Sequence, residues 1–375
     1  MAGIYIHIPF CKTRCIYCDF FSSTSMEIKS QYINALCKEI ELQRDFLESE
    51  SIETIYFGGG TPSQLDAADF KKIFDALSLN GYELNTSEVT LEANPDDISN
   101  EYLKNIRDLP FNRISLGVQS FDDYELKFLN RRHNAETAKN AVKRCQEAGF
   151  ENISIDLIYG INFPSNLKTW AENLQQALEL NVQHISAYSL TYEEGTQLSQ
   201  MVEMGQTSPI DDDLSVSMLY RLIDKLTQNG FEHYEISNFA KPGYRSKHNS
   251  SYWNGTHYLG LGASAHSYNG KVRQWNVFSL KNYIESIQNN EIPAEVEFTT
   301  PQNAHNEYII TRLRTSDGIN LDELASLFGE KAKTRCLKLA EPHIKDNKLI
   351  LENNTLIITL SGIFISDSIM RDLLM

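Results

Sequence analysis

The stretch GIYIHIPFCKTRCIYCDF, residues 3–20, opens with an apolar, β-branched run and ends in three cysteines. Cys11, Cys15 and Cys18 follow a C-x3-C-x2-C spacing, and the residue after the third is Asp19, not a fourth cysteine. The run reads as a strand. Positions i, i+4 and i+7 share a helix face, so three core cysteines on a helix are the competing reading. Pro9 and the strand just before it favour a loop instead. Thiolates are soft ligands suited to zinc or iron–sulfur centres, which ordinarily take four protein ligands. Cys37 falls on a helix stripe, Cys145 and Cys336 are remote, and His7, the best substitute, lies within the strand run. Three thiolates holding three irons of a [4Fe–4S] cube would leave the fourth iron open to an exogenous ligand.

Outward from this stretch, strand-like runs recur at 54–62, 88–95, 113–121, 152–160 and 184–191. Between them lie helical stretches at 26–47, 66–77, 99–109, 135–149 and 165–180, the first with Ile33, Leu36, Cys37 and Ile40 at helical spacing. Alternating strands and helices predict βα units around a parallel sheet. Six in series fit an α/β incomplete (βα)6 barrel, with an open doubly wound sheet as the alternative. The cysteines, Gly58–Gly60, Glu92 and Gln119 all fall at trailing strand ends, where function collects in such folds. A helix is expected at 212–230, then a loop region rich in His, Asn, Tyr and Gly to about residue 275. The tail reads as helices plus a hairpin turning at Asn353-Asn354, a smaller α+β winged-helix-like domain. The expected boundaries are 1–205 for the barrel, 206–295 for its extension and 296–375 for the tail.

The 375 residues carry 34 basic and 50 acidic side chains, a net charge of −16, which argues against broad nucleic-acid binding. No apolar run is long enough to span a bilayer and the start lacks a signal-peptide pattern, so a cytoplasmic protein is expected. Six cysteines in that compartment point to metal or redox chemistry, not disulfides.

The cysteine spacing, with Tyr17 just before the third thiol, resembles the radical S-adenosylmethionine (SAM) superfamily, and GGGTP at 58–62 strengthens the match. The resemblance implies a [4Fe–4S] cluster on Cys11, Cys15 and Cys18. Its open iron would bind the amino and carboxylate groups of SAM, whose reductive cleavage gives a 5′-deoxyadenosyl radical. IYIHIPFC, YFGGGTPS, LEANP, RISLGVQSF, LNRRH and DLIYG resemble, in order, the branch holding oxygen-independent coproporphyrinogen III dehydrogenase and its heme-chaperone relatives. By motif position this implies SAM contacts for Tyr5, Tyr17, Gly59, Gly60, Thr61, Glu92, Gln119, Arg131 and Asp156. Arg131 suits the SAM carboxylate and Asp156 the ribose hydroxyls. The bland alternatives are a structural Glu92–Arg131 ion pair and a helix-capping Asp156.

Within that branch the dehydrogenase carries a further cysteine two positions after the third, where this chain has Phe20. The chaperone type shares the CDF ending and an H-N-x-x-Y-W motif, here HNSSYW at 248–253. Heme or another tetrapyrrole is therefore expected at His248, Asn249 and Tyr252, since imidazole and phenolate both ligate haem iron. A loop hydrogen-bond network is the alternative for these residues. The implied function is a heme chaperone delivering to hemoproteins such as respiratory enzymes, with recipients at the membrane surface and an electron donor for the cluster as partners. The alternative is the dehydrogenase itself, which decarboxylates propionates oxidatively.

Overall fold

The structure is a computed structural model, and it describes residues 1–48, 50–82, 86–162 and 166–375. Strands β1 (Ala2–Ile8), β2 (Ile52–Gly59), β3 (Glu88–Ala93), β4 (Arg113–Gln119), β5 (Ile153–Tyr159) and β6 (His184–Ser189) occupy the six expected positions. They pair in that order, all parallel. Alternation along each strand decides the two faces. Ile4, Ile6 and Ile8 with Ile55, Phe57, Leu91 and Leu116 are fully buried in one core under the helices. The intervening residues meet one another across the other face. Tyr5 stacks on Tyr56 at 6.2 Å, Tyr56 donates to Glu92 at 2.6 Å, and Ser115 donates to Asp156 at 3.4 Å. The barrel interior is thus polar, and its outside is apolar.

Helices Lys29–Leu42, Ala67–Leu79, Asn100–Ile106, Ala135–Glu147 and Leu167–Glu179 connect the strands. Ser165, the first residue expected in the last of these, lies outside the described residues. Asp66 and Asp69 close a capping box on the second helix, and Gly149 at φ +93° ends the fourth. A short helix that the sequence reading passed over, Asp123–Phe128, starts on an Asp122 cap and carries the chain toward Arg131.

The region read as a loose loop is ordered. β7 (Glu232–Glu235) and β8 (Asn238–Ala240) continue the sheet beyond β6, while β9 (His257–Leu261), β10 (His266–Tyr268), β11 (Val272–Asn276) and β12 (Ala294–Phe298) continue it beyond β1. Residues Lys247–Asn254, which include the HNSSYW motif, form a helix and not a loop. Ser246 caps it, and the buried Glu88 carboxylate accepts from the backbone N–H groups of Lys247 at 2.9 Å and His248 at 3.0 Å. A carboxylate at a helix N-terminus satisfies otherwise orphaned donors. Gly255, at φ +77°, stops the helix.

Past residue 300, helices Pro301–Leu313, Leu321–Phe328, Glu330–Lys345 and Ser366–Leu373 enclose a separate small core. With them goes an antiparallel sheet of β13 (Ile319–Asn320), β14 (Leu349–Glu352) and β15 (Thr355–Ile358). Asn353 and Asn354, at φ +46° and +62°, make the expected hairpin turn. Among the described residues no helix is long and apolar enough to cross a membrane.

The extension is locked to the barrel by Glu39, which is fully buried and whose carboxyl burial pushes upward in pKa. It accepts from Gly262 N–H at 2.7 Å, Asn276 Nδ2 at 2.6 Å and Tyr283 Oη at 2.6 Å. Glu39→Ala leaves the Gly262 N–H and the Tyr283 hydroxyl unpaired and Asn276 Nδ2 with only its bond to Gly262 O at 2.8 Å, so denaturant unfolding should show a loss of about 3 kcal/mol or more. Amide exchange should quicken first in β9–β11. A loss below about 1 kcal/mol would contradict the assignment.

Candidate functional site

The cysteine loop is rooted where β1 and β2 end side by side. A Cβ on Gly59, at φ +104°, would lie 2.5 Å from the His7 ring, and one on Gly60 would lie 2.9 Å from Ile8 O. The glycines therefore let two backbones close up, whatever ligand sits above. His7 holds the far end of the loop through Phe21 O at 2.9 Å. Further ties come from Lys12 to Asp97 at 2.6 Å and from Asn130 Nδ2 to Arg14 O at 2.8 Å. These explain why LEANPDD and LNRR accompany the cysteines in sequence.

Above the strand ends lies a 440 Å³ cavity lined by all three cysteines, Tyr17, Gly59, Gly60, Thr61, Glu92, Gln119, Arg131 and Asp156. Thr61 Oγ1 donates to Cys11 Sγ at 3.4 Å, and Arg131 Nη1 to Cys15 Sγ at 3.2 Å. Arg131 Nη2 is held by Asn94 Oδ1 and Gly117 O, both at 2.6 Å, while its Nε is buried without a partner among the described residues. Among the described residues Arg131 makes no ion pair with Glu92, so the structural alternative for that pair falls away. Gln119 is held at φ +67°, a strained backbone for a non-glycine residue and one that turns up at ligand sites. Tyr5 is the expected residue that does not reach the cavity. Alternation puts it one layer below His7, to which its hydroxyl bonds at 3.1 Å.

Burial sets the electrostatics. It raises the Cys11 thiol and pushes Cys18 up to about 11. Burial likewise lifts Glu92 to about 7, opposed by the Tyr56 hydrogen bond, and Asp156 to about 6, opposed by that of Ser186. Arg131 goes upward despite its burial, held charged by Tyr17 and Cys15.

The HNSSYW helix sits at the opposite end of the barrel, plugging it beneath the strand starts. His248 is buried against Gly3, bonds through Nδ1 to Thr54 Oγ1 at 2.8 Å and through Nε2 to Tyr252 Oη at 3.0 Å. Neither ring nitrogen is free. Burial drives its pKa down to about 3, so the ring is neutral. Tyr252 lines a second cavity, and its ring meets that of Tyr258 at 4.8 Å.

Sequence reading missed Asn94, Tyr56 and Ser115. Asn94 joins Arg131 to Thr61, the latter at 3.3 Å. Its signal was its place in LEANP, and that of Tyr56 and Ser115 was a polar residue at an inward strand position.

A family model for the radical SAM superfamily matches residues 5–176, and one for the HemN C-terminal domain matches 299–365. The chain is 33% identical to the heme chaperone HemW of Mycobacterium tuberculosis over 99% of its own length and 94% of that protein's. It is 36% identical to the heme chaperone HemW of Bacillus subtilis, over 88% and 87%. The chain belongs to the HemW family of the radical SAM superfamily. Its fold also matches coproporphyrinogen III oxidase (HemN) of Escherichia coli, with a TM-score of 0.85 at 23% identity, over 99% of this chain and 89% of that one.

Membership of the radical SAM superfamily implies a [4Fe–4S] cluster and SAM, and the cavity fits both. Among the described residues no three His, Cys, Asp or Glu side chains converge on a single ion. Three thiols lining one cavity suit a cluster that takes one thiolate per iron. The buried, unpartnered Arg131 Nε calls for an acceptor.

The raised carboxyl of Glu92 makes stability pH-dependent. A folded pKa of about 7 against an ordinary 4.5 means the folded state keeps its proton longer. The resulting stability is full below about pH 4.5 and is lost as pH climbs through about 7. Glu92→Gln should therefore lose less stability than wild type between about pH 5 and pH 8 in thermal melts of cluster-free protein. Parallel pH profiles would show that Glu92 is not the group responsible.

Proposed function

We propose that the protein binds heme and delivers it to hemoproteins, respiratory enzymes among them, and carries a [4Fe–4S] cluster and SAM at the strand ends. The observation that carries this reading is the near end-to-end relationship to HemW heme chaperones. Phe20 supports it: 62% exposed at the cavity rim, it stands where the dehydrogenase pattern has a further thiol. The protein acts in the cytoplasm, taking electrons from a donor and meeting recipients at the membrane surface. Its working units are 1–205, 206–295 and 296–375.

In this reading Cys11, Cys15 and Cys18 hold three irons, and the bound cluster supplies single electrons. Arg131 holds the SAM carboxylate; its Nη1 already reaches toward the cluster side of the cavity at Cys15. Glu92 and the backbone at Gly59 and Gly60 receive the methionine ammonium. Asp156 takes the ribose, with Tyr17, Thr61 and Gln119 closing around the ligand and Tyr5 supporting the floor from below. Heme lies on the segment of His248, Asn249 and Tyr252, with His248 acting through the Tyr252 hydroxyl, because both its nitrogens are engaged.

Anaerobic reconstitution tests the cluster assignment. Cys11→Ala, Cys15→Ala and Cys18→Ala should each abolish bound iron and sulfide, whereas Cys37→Ala, Cys145→Ala and Cys336→Ala should retain them. Loss in any of the latter three, with folding intact, would refute it. Arg131→Gln should weaken SAM by about 1.5–3 kcal/mol in a binding titration, the worth of a charge-assisted contact. Parallel heme-binding and coproporphyrinogen III conversion assays decide between chaperone and dehydrogenase; conversion without heme binding would overturn the proposal.

A further inference from the structure

A second cavity, of 510 Å³, opens between the helix Lys247–Asn254, the strands β9–β11 and the small C-terminal core. That size lies within the roughly 300–1,000 Å³ usual for small-molecule sites. Its walls are aromatic: Tyr252, Trp253, Tyr258 and Tyr268 on one side, Tyr308 and Phe328 on the other. Tyr252 meets Tyr258 edge-on at 4.8 Å, and Tyr308 meets Phe328 at 5.7 Å. Two guanidinium groups reach the same space. Arg273 lies 5.5 Å over the Tyr268 ring and pairs with Glu307; Arg312 lies 5.3 Å over the Tyr308 ring and pairs with Glu323 at 3.0 Å. The Trp253 indole N–H is buried and has no partner among the described residues, although Arg314 packs 4.8 Å over its ring. A buried donor without an acceptor asks for a ligand.

We infer that this cavity is the tetrapyrrole site, with the macrocycle between the aromatic walls and its two propionates on Arg273 and Arg312. The inference rests on the heme-binding reading above and names its place. Aromatic faces suit a planar ring, and guanidinium forks suit carboxylates. The ligand's carboxylates replace Glu307 and Glu323 as partners of the two arginines. Among the described residues no histidine, cysteine or methionine lines the cavity. Protein donors to iron are therefore oxygen atoms, foremost the phenols.

Hemin titrations of the full chain test this, alongside metal-free protoporphyrin and its dimethyl ester. The double variant Arg273→Gln/Arg312→Gln should weaken hemin and protoporphyrin about tenfold or more, as expected for lost charge-assisted contacts. The ester, having no carboxylates, should be unaffected. Glu307→Gln should tighten hemin by freeing Arg273, a gain that misfolding cannot mimic. Bound ferric heme should show oxygen ligation in its absorption and resonance Raman spectra. If wild type binds no heme, the functional reading fails. If wild type binds heme but the double variant keeps full affinity, if Glu307→Gln brings no gain, or if the spectrum is that of imidazole or thiolate ligation, heme lies elsewhere and this inference is wrong.

Discussion

The approach of two backbones at the ends of β1 and β2 governs the rest of the site. Gly60 N–H donates to Ile8 O at 2.9 Å, and Cβ atoms at Gly59 and Gly60 would lie inside contact distance of His7 and of the Ile8–Phe10 backbone. Only because these positions lack side chains can His7 keep its ring under the loop and hold Phe21 O. The loop then lies across the strand ends, where Thr61 meets Cys11 and Arg131 meets Cys15. Arg131 in turn passes so close to Gly117 that a Cβ there would crowd its Nη2 at 3.3 Å. Each later contact depends on the glycines that precede it.

The polar barrel interior extends this dependence to the other end of the strands. A buried carboxylate or guanidinium is tolerated only when partners replace lost water. Glu88 is spent on the HNSSYW helix N-terminus and Glu92 on Tyr56. Tyr56 also stacks on His248 at 5.0 Å. One tyrosine thus touches a carboxylate of the SAM cavity and the histidine that plugs the barrel bottom. Arg113, buried and among the described residues without partners for Nε and Nη1, lies among these groups and adds its charge to the burial that depresses the pKa of both His184 and His248. Neutral His248 presents one donor and one acceptor nitrogen, and the hydroxyls of Tyr252 and Thr54 can take either part.

The six parallel strands were legible because each is a continuous β-branched run between amphipathic helices, and the cysteines, Gly59, Glu92 and Arg131 because the motifs recur in order. The extension was not. β7 and β8 are four and three residues long, too short for alternation to stand out. HNSSYW has few apolar residues to mark a helix, and its N-terminus depends on Glu88, some 160 residues away in sequence. Its local signals, Ser246 and Gly255, were present and under-read. Tyr5 was placed by motif alone; counting inward positions along β1 would have set it a layer too deep. The glycine triplet was read as room for a ligand, whereas its first demand is room for the neighbouring strand.

Separation of the two cavities bears on what chemistry can occur. The cysteine cavity lies beyond the strand ends and the HNSSYW helix below the strand starts, with the seven residues of β1 between them. At about 3.3 Å per residue that is on the order of 20 Å. Hydrogen abstraction by a SAM-derived radical needs reacting atoms about 3–3.5 Å apart. A tetrapyrrole held in the lower cavity therefore keeps its propionates out of the radical's reach, and decarboxylation there is geometrically closed. Arg273 and Arg312 would secure the same propionates that a dehydrogenase must deliver to its radical. On this geometry the two cavities serve different ends: the upper one can carry electrons or SAM-dependent control, and the lower one can hold intact heme for transfer.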